Sequence, residues 1–154
     1  MNHFSRFAPW VNRLVLAAAT MIFTMIGLRY IVDPVRASAA TGVTLNSALA
    51  TTVTRVGFGA FPLSFAIFSS VCLLSTRRLL IGASLVATIA ATAIAVRLFG
   101  VAVDGAVPES TRLFIPETVL LVVSLAGILL ERARRNHPPS EATWQKHHSR
   151  EAAA

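Results

Sequence analysis

Glu117 is the carboxylate that stands within an apolar run, Phe114 to Leu130, with no basic neighbour inside that run. A lone carboxylate in hydrocarbon costs a few kcal/mol, so it must be protonated or paired. The candidates to pair with it close or open other apolar runs: Arg29, Arg55 and Arg97. Their long side chains can reach inward as readily as they snorkel outward. The spacing therefore predicts a polar cluster of Glu117 with Arg97, Arg55 or both, at one end of a set of helices. Arg29 closes the first run nearby, and the connections bearing Asp33 and Asp104 would roof the cluster. Two chemistries fit such a set. One is a charge pairing that fixes helix register; the other is an outward-facing pocket for a small anion, a lipid headgroup or a quinone-like ring.

Other chemistry is poorly represented. The sequence contains no H-E-x-x-H, G-x-S-x-G, P-loop or C-x-x-C motif, so no catalytic constellation is expected. His3, His137, His147 and His148 all lie in the polar ends, and haem would want an axial histidine inside the membrane. The adjacent pair His147–His148 reads as solvated tail rather than as a metal site. Neither a metal nor a cofactor is expected. A proton relay would need ionisable groups through the whole membrane, and the half opposite Glu117 offers none. Cys72 is the single cysteine, lies in an apolar run, and is expected to pack as a small side chain.

The elements that must position these residues follow from composition. Of 154 residues, 55% are hydrophobic and 14% charged, against about 25% charged in soluble domains. Mean hydropathy is +0.66. The apolar residues come in long runs, and a bilayer core needs about 20 apolar residues in helix. Four spans are predicted: 11–32, 55–75, 79–99 and 114–130. The fold class is all-α, an antiparallel four-helix membrane bundle over residues 1–131, followed by a polar, mobile tail over 132–154.

Asp33–Pro34 should stop the first helix, and Leu45 to Thr54 should add turns to the second. Pro62 should bend the second helix, which membranes tolerate. Ser75 to Arg78 leave room only for a tight hairpin. Asp104–Gly105 signals a turn, and Pro116 is expected in the first turn of the last helix. Arginine placement sets the orientation. With the N-terminus inside, the cytoplasm holds Arg6, Arg13, Arg77, Arg78, Arg132, Arg134, Arg135, Lys146 and Arg150, offset by Glu131, Glu141 and Glu151. The outer side holds Arg29, Arg36, Arg55, Arg97 and Arg112, nearly cancelled by Asp33, Asp104, Glu109 and Glu117. Both termini are therefore expected in the cytoplasm. A cleaved signal peptide ending at Ala37–Ser38–Ala39 is disfavoured, because Arg29, Asp33, Pro34 and Arg36 separate that site from the apolar run. The formal charge of +7 does not indicate nucleic acid, since the arginines are scattered between apolar runs.

Lipid is as apolar as leucine, so close packing of small residues must hold the helices together. The third span offers Ala83, Ala87, Ala91 and Ala95; the second offers Gly57, Gly59, Ser69 and Ser70. The short hairpin should make these two spans neighbours.

From Leu14 to Leu130, the order and spacing of polar residues carry a resemblance. Arg29–Tyr30 and Asp33–Pro34 end the first span, followed by Gly42; then come Arg55 with Gly57 and Gly59, Arg97, Asp104–Gly105 and Glu117. In these the chain resembles a small bacterial family labelled only as a domain of unknown function, with the layout of DoxX-like four-helix membrane proteins. The family pattern has adjacent glycines after the second-span arginine, whereas Phe58 here separates Gly57 from Gly59. The resemblance implies a bacterial cytoplasmic-membrane protein with the same bundle, and brings no reaction. Some DoxX-like relatives look like accessory subunits of membrane redox systems. The expected function is a non-enzymatic accessory or scaffold module with an outer-leaflet polar ligand site. Its partners would be the lipid bilayer and other membrane proteins or further copies of itself. A small transporter or channel component is the first alternative, a membrane subunit of a quinone-linked oxidoreductase the second.

Overall fold

An apolar run in hydrocarbon has no water to satisfy its backbone, and a helix satisfies it internally. The computed structural model describes residues 4–105 and 108–136, and every regular element among them is helical. The elements are α1 (Phe4–Val32), α2 (Pro34–Ala39), α3 (Ala48–Thr54), a π-helical segment (Arg55–Ala60), α4 (Phe61–Leu73), α5 (Leu79–Asp104) and α6 (Pro108–Asn136). Helix α3, the π segment and α4 run on as one rod. Four helices are long and apolar enough to cross a membrane: Pro9–Val32, Ala48–Leu73, Leu79–Asp104 and Phe114–Asn136. Large apolar side chains, Leu14, Met25, Phe61, Ile67, Phe99 and Leu129 among them, cover their outer faces. The chain is a multi-pass, four-helix membrane bundle.

The boundaries follow local chemistry. Asp33 ends α1 and caps α2, its carboxylate accepting from the Arg36 N–H at 3.0 Å, with Pro34 in the first turn. Ser47 caps α3 in the same way through the Ala50 N–H. Gly105 ends α5 at φ 90°, a conformation that disfavours a side chain. At 26 residues, α5 is about 39 Å long, some 9 Å more than the hydrocarbon. That excess explains why it runs to Asp104 rather than to residue 99. The last helix likewise begins at Pro108, six residues before the apolar run, and continues to Asn136. Pro116 therefore lies inside α6 rather than in its first turn, because Pro108 already occupies the helix start. Residues 132–136 are helix and not tail; the rest of the expected tail, with His137, His147 and His148, lies outside the described residues, as does His3.

The Pro62 interruption is met by a π turn. The Phe61 N–H reaches back five residues to the Val56 carbonyl. In that register the next N–H, the one aimed at the Gly57 carbonyl, would be that of Pro62, which has none. Wider π turns ahead of the ring give its pyrrolidine room against the preceding carbonyls.

The bundle has two ends. The hairpin end carries the start of α1, the turn 74–78 and the close of α6. The loop end carries the connection 33–47 and Gly105. Helix α1 packs against all three other rods, most closely on α4, and α5 packs most closely on α6. The α1–α4 crossing is tight at Gly27 and Gly59: a Cβ on Gly27 would meet the Gly59 carbonyl oxygen at 2.9 Å and the Leu63 nitrogen at 3.0 Å. Phe23 and Phe65 meet a turn further on in a tilted arrangement, ring centroids 5.8 Å apart and planes at 60°.

The expected small-residue seam is shifted. On α5 the buried stripe is Leu79, Gly82, Ala83, Val86, Ala87 and Ala90, while Ala91 and Ala95 face outward. A helix turns 100° per residue, so a face that follows 79, 82/83, 86/87 and 90 drifts off the strict four-residue row. Gly59 serves α1 rather than α5, and Gly57 has open space beside it. Helices α4 and α5 meet near their hairpin, where Cys72 and Leu16 fill the space next to Gly82. The main core cluster is Val15, Leu16, Ala19, Cys72, Leu79 and Val86.

Candidate functional site: ion-paired clasps at the two ends

Seven residues before the end of α5, about 10 Å along its axis, Arg97 turns toward α6. Its Nε donates to Glu117 Oε2 at 3.0 Å and its Nη2 to Oε1 at 2.5 Å. Both side chains are 22% exposed. Phe114, one helical turn before Glu117, sets its ring 6.0 Å from the Arg97 guanidinium carbon, shielding one face of the pair. The parallel two-bond geometry fixes rotation of both helices, because a planar fork fits a carboxylate in few orientations. Glu117 is thus paired, and both of its oxygens are engaged.

The other residues of the expected cluster do not join this pair. Arg55 sits in the π segment, which packs on α1, α3 and α4 rather than on the α5–α6 pair, and its side chain is exposed. Arg29 is exposed at the end of α1, and Asp104 at the end of α5. Asp33 is occupied in capping α2. Among the described residues, the loop end therefore pairs Arg97 with Glu117 and keeps Arg29, Asp33, Arg55 and Asp104 apart from that pair.

A second polar centre, at the hairpin end, is not evident from hydropathy. Glu131 is fully buried. Arg134, one turn on, grips it with Nε to Oε2 at 2.9 Å and Nη2 to Oε1 at 2.7 Å, and Arg135 adds Nε to Oε1 at 2.9 Å. Arg135 also reaches the Arg77 carbonyl in the hairpin at 3.4 Å. Asn12, equally buried, donates its Nδ2 to the Gly127 carbonyl at 3.0 Å, tying α1 to α6. The Glu131 signal was present in the sequence as arginines at the third and fourth following positions, the spacing that places side chains on one helix face. Asn12 was marked only by being an amide inside the first apolar run.

Chemically, both carboxylates are held by guanidinium groups, so neither is presented as a base. Among the described residues no group of three or more His, Cys, Asp or Glu side chains is placed to hold a metal. What the arrangement supplies is register between helices and outward-facing arginine donors.

No protein-family model matches the chain, and neither a curated protein nor a solved structure shows detectable similarity to it. The functional reading accordingly rests on geometry.

Proposed function

We propose that this protein is a non-enzymatic accessory or scaffold module of a bacterial cytoplasmic membrane, with both termini in the cytoplasm. One observation carries the reading: both carboxylates of the last span are paired with arginines. Arg97 with Glu117 joins α5 to α6 at the loop end, and Glu131 is paired with Arg134 and Arg135 within α6 at the hairpin end. The buried residues between are mostly apolar, Leu16, Ala19, Leu79, Ala83 and Val86, with Ser69 and Ser124 among them. A carrier or channel needs polar side chains along a path, and a redox subunit needs groups that hold its cofactor. A scaffold needs only a rigid bundle with outer faces for other proteins. The orientation is supported by arginine excess at the hairpin end and near balance at the loop end. The family resemblance is supported by the residues quoted for it, Arg97, Glu117 and Asp33–Pro34 among them.

Purification from native membranes in mild detergent tests the proposal. A larger membrane complex or a defined homo-oligomer is the expected product. Solute flux in liposomes containing this protein alone would instead select the transport alternative. A redox-active partner in the purified complex would select the quinone-linked one.

A further inference from the structure

Six arginines converge on the hairpin end: Arg13 from α1, Arg77 and Arg78 from the turn, and Arg132, Arg134 and Arg135 from the close of α6. Among the residues whose side chains are described, the acid at this end is Glu131, so six cations against one carboxylate leave a net of five positive charges. That carboxylate is buried beneath the guanidinium groups and holds two of them in place. The bonds it accepts use Nε and Nη2 of Arg134 and Nε of Arg135, and a guanidinium has five N–H donors. Arg77, Arg78, Arg132 and Arg135 are exposed. Arg13 sets its guanidinium carbon 5.8 Å from the Trp10 ring and donates from Nη2 to Thr76 Oγ1 at 3.4 Å, a long bond.

We propose that this end is a binding site for the phosphate of an anionic phospholipid headgroup. The patch lies at the ends of the spans, where hydrocarbon gives way to headgroups. Directly beside it, Leu14, Leu74 and Leu129 present exposed apolar side chains. Charged donors above an apolar wall match a phospholipid, which carries its anion at the head of its acyl chains. A phosphate supplies acceptors for the outward guanidinium edges, two of its oxygens matching the planar two-donor fork of an arginine. Glu131 pre-positions the donors, which lowers the ordering cost of binding.

The test is native mass spectrometry of the full chain in detergent, with added phosphatidylglycerol or phosphatidylcholine. The wild-type protein is expected to retain phosphatidylglycerol preferentially. Each arginine removed should lower that retention about fivefold, so Arg77→Gln with Arg78→Gln should lower it by more than tenfold. Arg29→Gln with Arg36→Gln, at the loop end, should leave it unchanged. Should the hairpin-end variant fail to fold, wild-type retention must still fall as ionic strength rises. Equal retention of the two lipids, equal losses at both ends, or retention indifferent to salt would overturn the proposal. Millimolar inorganic phosphate that displaces the lipid would also overturn it, by showing a soluble-anion site instead.

Discussion

The amide of Asn12 and the backbone of Gly127 occupy each other's space: Nδ2 donates to the Gly127 carbonyl at 3.0 Å, and a Cβ at position 127 would overlap Oδ1. The side chain that joins α1 to α6 thus requires the absence of one on its partner. Gly127→Ala is expected to break the bond and strand two buried polar groups, costing about 1–3 kcal/mol. Combining it with Asn12→Ala should cost less than the two single changes added together. Thermal unfolding of the purified protein in detergent measures this; strict additivity would mean the residues act independently.

The two carboxylates should differ in how much depends on them. Glu131 is fully buried and holds two arginines, whereas Glu117 is 22% exposed and holds Arg97. Glu131→Gln removes charge-assisted hydrogen bonds to two guanidinium groups that are 33% and 42% exposed, and is expected to cost about 2 kcal/mol. Glu117→Gln leaves a single guanidinium without its counter-charge and keeps one hydrogen bond to it, so it should cost less, about 1 kcal/mol. Denaturation in matched detergent ranks them, and an inverted order would show that the loop-end clasp is the main fastening.

The glycines of the first two rods separate cleanly. At Gly27 and Gly59 two helices approach backbone to backbone, so Gly27→Ala must push α1 from α4 and should lower stability by about 1–3 kcal/mol, as overpacking does. Gly57 has no atom within 4 Å of its would-be Cβ. Gly57→Ala should be neutral or stabilise by up to roughly 1 kcal/mol through helix propensity. The same unfolding assay tests both, and a loss at Gly57 as large as that at Gly27 would mean another surface covers it in the folded state.

The four spans are legible because apolar runs near 20 residues have few other uses. Their ends are less so. Hydropathy closes the third span at Phe99 and opens the fourth at Phe114, whereas the helices continue to Asp104 and back to Pro108 because backbone hydrogen bonding persists into the headgroup layer. The Arg97–Glu117 pairing is open to inference because each residue stands within an apolar run. Whether Arg55 joins them is not, since that depends on the rotation of a rod containing a π segment. The Asn12–Gly127 contact joins residues far apart in the chain, and no local pattern announces a glycine that makes room for an amide.

Cysteine labelling in intact cells tests the central claim most directly. In a Cys72→Ser background, single cysteines at Ala39 and Asp104 should react with a membrane-impermeant maleimide from outside. Cysteines at Thr76 and Arg132 should react only after the membrane is opened. Labelling of Thr76→Cys and Arg132→Cys from opposite faces, or of all four positions without opening, would contradict a four-span bundle with both termini in the cytoplasm.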